Sequence, residues 1–261
     1  MRNEIDPLTH IAAGAETLRL FLDYDGTLAD FAPSPDTVLP DTAVIGLLER
    51  LAAAEGVLPA VISGRRLAHI QKLLPVPGLL MGGTYGIEMQ LPDGERRDVL
   101  PFEEVRPLLE RLLPRWQELI AGREGFYLED KGWSLALHGR HAAPGEGEAV
   151  MAAARTEARA LDFGEDFRLL GGDRFLELAP RAASKSAAVG WVLRELTPPG
   201  AVCVYLGDDD KDEEAFETIL AAGGHPVRVS VEPTETLARF RLAGPRQVRA
   251  WLGALLTARG G

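Results

Sequence analysis

The chain has 261 residues, 46% of them apolar, and a formal charge of −11 at neutral pH. That length suffices for one large domain or a core with a smaller companion, and the apolar share excludes wholesale disorder. The acidic balance excludes nucleic acid and anionic membranes as expected partners, since both select a basic face, and admits a phosphate ester only where cations gather locally.

The N-terminal stretch MRNEIDPLTHIAAGAE has no signal-peptide pattern, and no later run is apolar for long enough to span a bilayer, so a cytoplasmic protein is expected. Leu18 to Leu22 (LRLFL) reads as a buried strand ending just before Asp23. Asp41 caps a helical face of Val44, Ile45, Leu47, Leu48 and Leu51, which Gly56 closes. Val57 to Ile62 reads as a second strand, although Pro59 cannot donate to a ladder. A short helix then runs from Leu67 to Leu74, stopped by Pro75, and Pro92-Asp93-Gly94 predicts a hairpin between Ile87 and Val99.

From Phe102 to Ala179 the pattern changes. A helix (Glu103 to Ile120) precedes two strands (Phe126 to Asp130, Trp133 to Arg140), an Ala-rich helix over Met151 to Ala160, and two strands around Gly171-Gly172. Short turns between these strands predict an antiparallel α+β unit. The α/β alternation resumes with a helix from Ser184 to Leu196, a strand from Ala201 to Leu206 and a helix from Glu213 to Ala222. The lone Cys203 lies in the apolar run AVCVYL, so no disulfide forms within the chain, which fits a reducing compartment. The expected architecture is α/β: a Rossmann-like core with a mostly parallel sheet over residues 1–101 and 181–261, and an inserted α+β cap domain over 102–180.

Chemistry concentrates where strands end. In FLDYDGTL, Phe21 to Leu28, two carboxylates follow a buried strand, at the strand end where open α/β sheets bind ligands. Strand alternation turns residues two apart to one side, so Asp23 can act as nucleophile and Asp25 as general acid, then base. GDDDKDEEAF, Gly207 to Phe216, follows another apolar strand and offers hard oxygen ligands suited to Mg²⁺. An acidic loop alone is ordinary solvated surface. It gains meaning here because a carboxylate nucleophile cannot approach an anionic phosphate without a neutralising cation. Asp23, the backbone carbonyl of Asp25, and Asp208 are the expected metal ligands, with Asp209 or Asp212 either a further ligand or a support behind them. Ser63 in ISGR can bond a phosphate oxygen, helped by N–H groups at the next helix start, and Lys185 in ASKSA can pair with a phosphoryl group and with Asp23. Either alone is more often an N-cap or a solvated lysine.

The order Asp-x-Asp, Ser, Lys, Gly-Asp-Asp resembles the motif set of the haloacid dehalogenase superfamily, and within it the trehalose-6-phosphate phosphatases. The resemblance covers nearly the whole chain, and the tyrosine between the two acids and the GDDxxDE form carry the narrower match. It implies a Mg²⁺-dependent phosphatase that hydrolyses trehalose 6-phosphate through an aspartyl phosphate on Asp23. Ser63 and Lys185 would bind phosphate, and Arg65 would lie near the substrate. Glu129, Lys131 and Glu177 match cap positions that grip sugar hydroxyls, with His138 and Arg140 on the same segment. The resemblance further implies a monomer functionally coupled to a trehalose-6-phosphate synthase. Independently of the resemblance, carboxylates and a lysine on cap strands can hydrogen-bond a polyol and exclude water on closing, although charges on strand surfaces also occur without special function. One departure stands out: GGTYGIE has Tyr85 where the family commonly has histidine. Rival readings are a phosphatase for glucosyl-3-phosphoglycerate or sucrose 6-phosphate, and a catalytically silent regulatory module.

Overall fold

A computed structural model describes residues 5–31 and 38–260, so the first four residues of the stretch read for a signal pattern lie outside it. The chain divides into two compact units, Met1–Arg97 with Ser184–Gly261, and Asp98–Ala183. The first opens with α1 (Asp6–Gly14), β1 (Leu18–Leu22), α2 (Thr42–Ala53), β2 (Val57–Ile62) and α3 (Leu67–Leu73). There follow β3 (Leu80–Gly83), a 3-10 turn (Thr84–Gly86), β4 (Glu88–Gln90) and β5 (Arg96–Asp98). The second unit holds α4 (Phe102–Ile120), β6 (Tyr127–Asp130), β7 (Leu135–His138), α5 (Glu146–Arg159), β8 (Phe167–Gly171) and β9 (Phe175–Pro180). The chain then returns to the first through α6 (Lys185–Glu195), β10 (Val202–Gly207), α7 (Asp210–Ala221), β11 (His225–Val229), β12 (Phe240–Leu242) and α8 (Pro245–Ala258).

The larger sheet has the order β12-β11-β10-β1-β2-β3-β4-β5 and is parallel from β12 to β3, with β4 antiparallel to β3. Every residue of β1 is buried, as expected of a central parallel strand with both faces covered. Leu18, Leu20 and Leu22 join a core with Leu47, Leu48 and Leu51 of α2 and Leu252 and Leu255 of α8. Phe21 and Tyr205 join the opposite core with Val189 and Val192 of α6 and Phe216 of α7. Pro59 is accommodated because the β2–β3 ladder begins only at Ala60.

The smaller sheet is antiparallel, in the order β6-β7-β9-β8. Trp116 of α4 is fully buried and donates its Nε1–H to the Ala154 carbonyl of α5 at 3.0 Å, which satisfies its one polar atom. Two sequence-based helix starts are corrected. The Ala-rich helix begins at Glu146, five residues before Met151, and α7 begins at Asp210 instead of Glu213. The second shift has a local cause. Asp209 and Asp212 form a capping box, in which each side chain accepts from the other's backbone N–H, so the acidic segment starts the helix. Among the described residues no helix is long and apolar enough to cross a membrane.

Candidate active site

Because β10, β1 and β2 lie side by side in register, with Leu22 opposite Leu206 and Val61, their carboxyl ends release Asp23, Asp208 and Ser63 along one edge. The Asp23 N–H still donates to the Leu206 carbonyl at 3.0 Å. The strand itself stops at Leu22, so alternation does not position Asp25. A turn does: Gly26 has φ +82° and donates to the Ala29 carbonyl at 2.7 Å. A Cβ on Gly26 would collide with the Asp208 carboxylate, so glycine is what lets the two acidic loops meet. Thr27 Oγ1 donates to Asp208 Oδ1 at 3.2 Å across the same junction.

Lys185, the first residue of α6 after the N-cap Ser184, is buried and reaches Asp23 Oδ1 at 2.7 Å and Asp212 Oδ1 at 2.6 Å. Asp212 is fully buried. Its Oδ1 also accepts from the Tyr205 hydroxyl at 2.8 Å, and its Oδ2 from the backbone N–H groups of Asp208 and Asp209 at 3.0 and 3.1 Å. Arg65 grips both oxygens of Asp25, Nε to Oδ2 at 2.6 Å and Nη2 to Oδ1 at 2.7 Å. Arg65, expected beside the substrate, is thus engaged with a carboxylate of its own chain. Ser63 is buried, and its Oγ accepts from the Arg65 N–H at 3.1 Å. Of the N–H groups expected to assist Ser63, that of Leu67, the first residue of α3, goes to the buried Glu88 carboxylate at 3.1 Å.

Burial governs the electrostatics. It pushes the Asp23 carboxyl well above the usual range, and the neighbouring acids Asp212, Asp208 and Asp209 reinforce it against Lys185. Burial, then the charges of Asp212 and Asp209, push Asp208 up to about 7. Burial also opposes the Lys185 ammonium, but Asp212 and Asp23 outweigh it and hold its pKa well above the ordinary lysine value. Burial works against the Asp209 carboxylate too, yet Lys185, Lys211 and hydrogen bonds from Asp212 win and lower its pKa.

Such crowding of carboxylates fits a divalent cation. Oxygens of Asp23, Asp208 and Asp212 lie within 4.8 Å of one another. Asp212 already accepts from four donors, so Asp23 and Asp208 hold the oxygens best suited to a hard cation. Asp209, expected among the ligands, is not in this group. Its Oδ1 caps α7, accepting from the N–H groups of Lys211 at 2.9 Å and Asp212 at 3.1 Å. The hub role of Asp212 and the part of Tyr205 were not read from the sequence. The Asp209-x-x-Asp212 spacing was the available signal, being that of a capping box.

The family model for trehalose-phosphatases matches residues 21–246, which takes in all of these loops. The chain belongs to the trehalose-phosphatase family. Along 255 residues it is 33% identical to the trehalose-6-phosphate phosphatase of Escherichia coli, covering 97% of this chain and 92% of that protein. It is 32% identical to the trehalose-phosphate phosphatase of Mycobacterium tuberculosis over 238 residues, 88% of this chain but only 59% of that longer relative. Its fold is similar to that of the C-terminal domain of Candida albicans trehalose-6-phosphate phosphatase, with TM-score 0.84, 21% identity and 96% of each chain covered. As a member of the trehalose-phosphatase family the chain is a phosphoric monoester hydrolase.

The second unit of this trehalose-phosphatase gathers four of the five polar residues expected there, Glu129, Lys131, His138 and Glu177. Glu177 of β9 is fully buried and accepts from Lys131 Nζ at 3.1 Å and Ser134 Oγ at 2.6 Å. Glu129 of β6 lies 4.0 Å from the Lys131 ammonium and bonds His138 Nε2 at 3.1 Å. Burial would raise the Glu129 pKa, but His138 and Lys131 outweigh it and bring it below the usual range. The His138 ring packs between Tyr127 and Phe175, 5.6 and 5.2 Å away. Arg140 does not join this network; it is exposed in the turn that follows β7.

Proposed function

We propose that this chain hydrolyses trehalose 6-phosphate to trehalose and phosphate, with Asp23 as nucleophile and Mg²⁺ as cofactor. The observation that carries the mechanism is the buried Asp23 carboxylate at the end of β1, bonded to Lys185 and adjoining Asp208. The substrate rests on family membership and on the names of the relatives.

Asp23, Asp208 and the backbone carbonyl of Asp25 would hold the Mg²⁺, which when bound neutralises the carboxylates and the phosphate that must approach them. An Asp23 oxygen forms a bond to phosphorus as the bond from phosphorus to the sugar oxygen breaks, and Asp25 gives its proton to that oxygen. Asp25 then takes a proton from the water that attacks phosphorus, breaking the aspartyl–phosphate bond and freeing Asp23. Lys185 stabilises negative charge on Asp23 and on the transferring group, while Asp212 keeps the ammonium in place. Ser63 binds a phosphate oxygen. Arg65 orients Asp25, and a phosphate oxygen arriving at its guanidinium competes with Asp25 and frees one carboxyl oxygen for proton transfer. Glu129, Lys131 and Glu177 are assigned to the sugar hydroxyls, which charged hydrogen-bonding groups on a rigid sheet suit. The lone Cys203, free and buried, suits the cytoplasm.

Phosphate release from trehalose 6-phosphate, sucrose 6-phosphate, glucosyl-3-phosphoglycerate and simple hexose phosphates, with and without EDTA, tests the reading. We expect trehalose 6-phosphate to be preferred, EDTA to abolish turnover, and Asp23→Asn to lose on the order of 10³-fold or more in kcat. Preference for another ester would overturn the substrate. Near wild-type turnover by Asp23→Asn would overturn the mechanism.

A further inference from the structure

Tyr85, the chain's departure from the family pattern, occupies a backbone conformation that few residues adopt. Thr84 and Tyr85 have φ of +48° and +60°, in the left-handed region that side chains resist and β-branched threonine resists most. Surrounding bonds hold the turn there. The Thr84 N–H donates to the Arg65 carbonyl at 2.7 Å and the Tyr85 N–H to the Ser63 carbonyl at 2.8 Å. Thr84 Oγ1 donates to Glu88 Oε2 at 3.1 Å, the same buried carboxylate that takes the Leu67 N–H. The strained turn is therefore docked on the Ser63–Arg65 loop. Its ring lies so close over Gly64 that a Cβ there would come within 2.7 Å of it.

The conformation directs the phenol towards α7. Lys211 Nζ donates to the Tyr85 hydroxyl at 2.6 Å and stands 4.6 Å from the ring centroid, at the hydroxyl end. The Lys211 backbone N–H is itself held by Asp209 Oδ1, whose own N–H binds Asp212, the residue that anchors Lys185. The contacts thus run in a continuous series from Asp23 through Lys185, Asp212, Asp209, Lys211, Tyr85 and the Ser63–Arg65 loop to Asp25, two residues from Asp23 along the chain. Tyr85 and Lys211 are the join between the loop bearing Ser63 and the loop bearing Asp208. Tyr85 is buried and Lys211 half-buried, so the charge-assisted bond is partly shielded from water.

We propose that the Tyr85–Lys211 hydrogen bond is a positioning device that fixes Ser63 relative to Asp208 and so sets the affinity for the phosphoryl group. The inference rests on the reading of Ser63 and the acidic cluster as the phosphate site. Neither residue is assigned a catalytic role; both act through Ser63.

The test is orthophosphate binding by calorimetry in saturating Mg²⁺, on the full chain and its variants. Tyr85→Phe and Lys211→Met should each weaken binding by roughly three- to tenfold, and the double variant no further, because both remove one bond. Lys211→Arg should retain most of the affinity, since a guanidinium can donate to the same hydroxyl. In a Ser63→Ala background, Lys211→Met should add less than about twofold. A purely structural role would lower the melting temperature without this dependence on Ser63. Unchanged binding in both single variants overturns the proposal. So do effects of Ser63→Ala and Lys211→Met that multiply, which would mean that Lys211 meets phosphate itself. If Tyr85→Phe does not fold, Lys211→Met, on the partly exposed surface of α7, decides the matter. Failure of the wild-type chain to bind orthophosphate with Mg²⁺ overturns the phosphate-site reading itself, a result distinct from wild-type binding that the variants leave unaltered.

Discussion

Lys185 is one ammonium between two buried carboxylates, and the site depends on that arithmetic. Removing it leaves Asp23 and Asp212 buried without their cation, and breaking a buried pair from one side typically costs about 3–5 kcal/mol. Lys185→Met should therefore lower stability by about that amount in urea unfolding at pH 8. The deficit should shrink at acid pH, where the abandoned carboxyls can take up protons. Asp208 makes a second statement about pH. Its pKa stands at about 7 in the folded chain, above the ordinary carboxyl value it has when unfolded. It therefore keeps its proton in the folded chain at pH values where the unfolded chain has lost it. The stability this contributes is full below the unfolded value and is lost as pH rises through about 7. A cation must displace the same proton. Mg²⁺ affinity measured by calorimetry should weaken as pH falls from 8 to 6, by up to about tenfold per unit once below 7. An affinity that is flat across that range would contradict the raised pKa.

At the scale of elements, short caps set where the functional residues begin. Asp41 accepts from the N–H groups of Ala43 at 2.8 Å and Val44 at 3.4 Å, so Asp41→Ala should cost about 1 kcal/mol in chemical denaturation while leaving turnover intact. This cap was legible in the sequence because an acid directly preceded an apolar stripe. The central strands β1, β2 and β10 were legible for a similar reason: each is a short apolar run ending in a polar motif. Other elements carried weaker signals. In α1, Asp6-Pro7 starts a helix of nine residues with only Leu8 and Ala12 buried, too short a stripe to stand out. The strand β3 reads LMGG, where paired glycines argue against a strand until its neighbour β2 supplies the ladder. The alternation argument for Asp25 failed because β1 ends three residues earlier, and a glycine turn with an arginine clamp does the placing. Contacts between distant loops, such as Lys211 with Tyr85, leave no periodicity to read. They depend on the register of strands far apart in the sequence.

For the molecule as a whole, a charge of −11 is reconciled with an anionic substrate by local placement. Lys185, Arg65 and Lys211 all lie among the loops at the carboxyl ends of β1, β2 and β10, each bonded to an acid or a phenol. The charges proposed for the sugar, Lys131 with Glu129 and Glu177, belong to the separate unit of residues 98–183. An aspartyl phosphate on Asp23 would be a covalent intermediate, and such a bond can be trapped chemically. Rapid acid quench during turnover of trehalose 6-phosphate, borohydride reduction and peptide mapping should convert residue Asp23 to homoserine, because hydride reduces an acyl phosphate and spares a free carboxylate. Homoserine at another acidic position, or at none while phosphate is being released, would contradict the account.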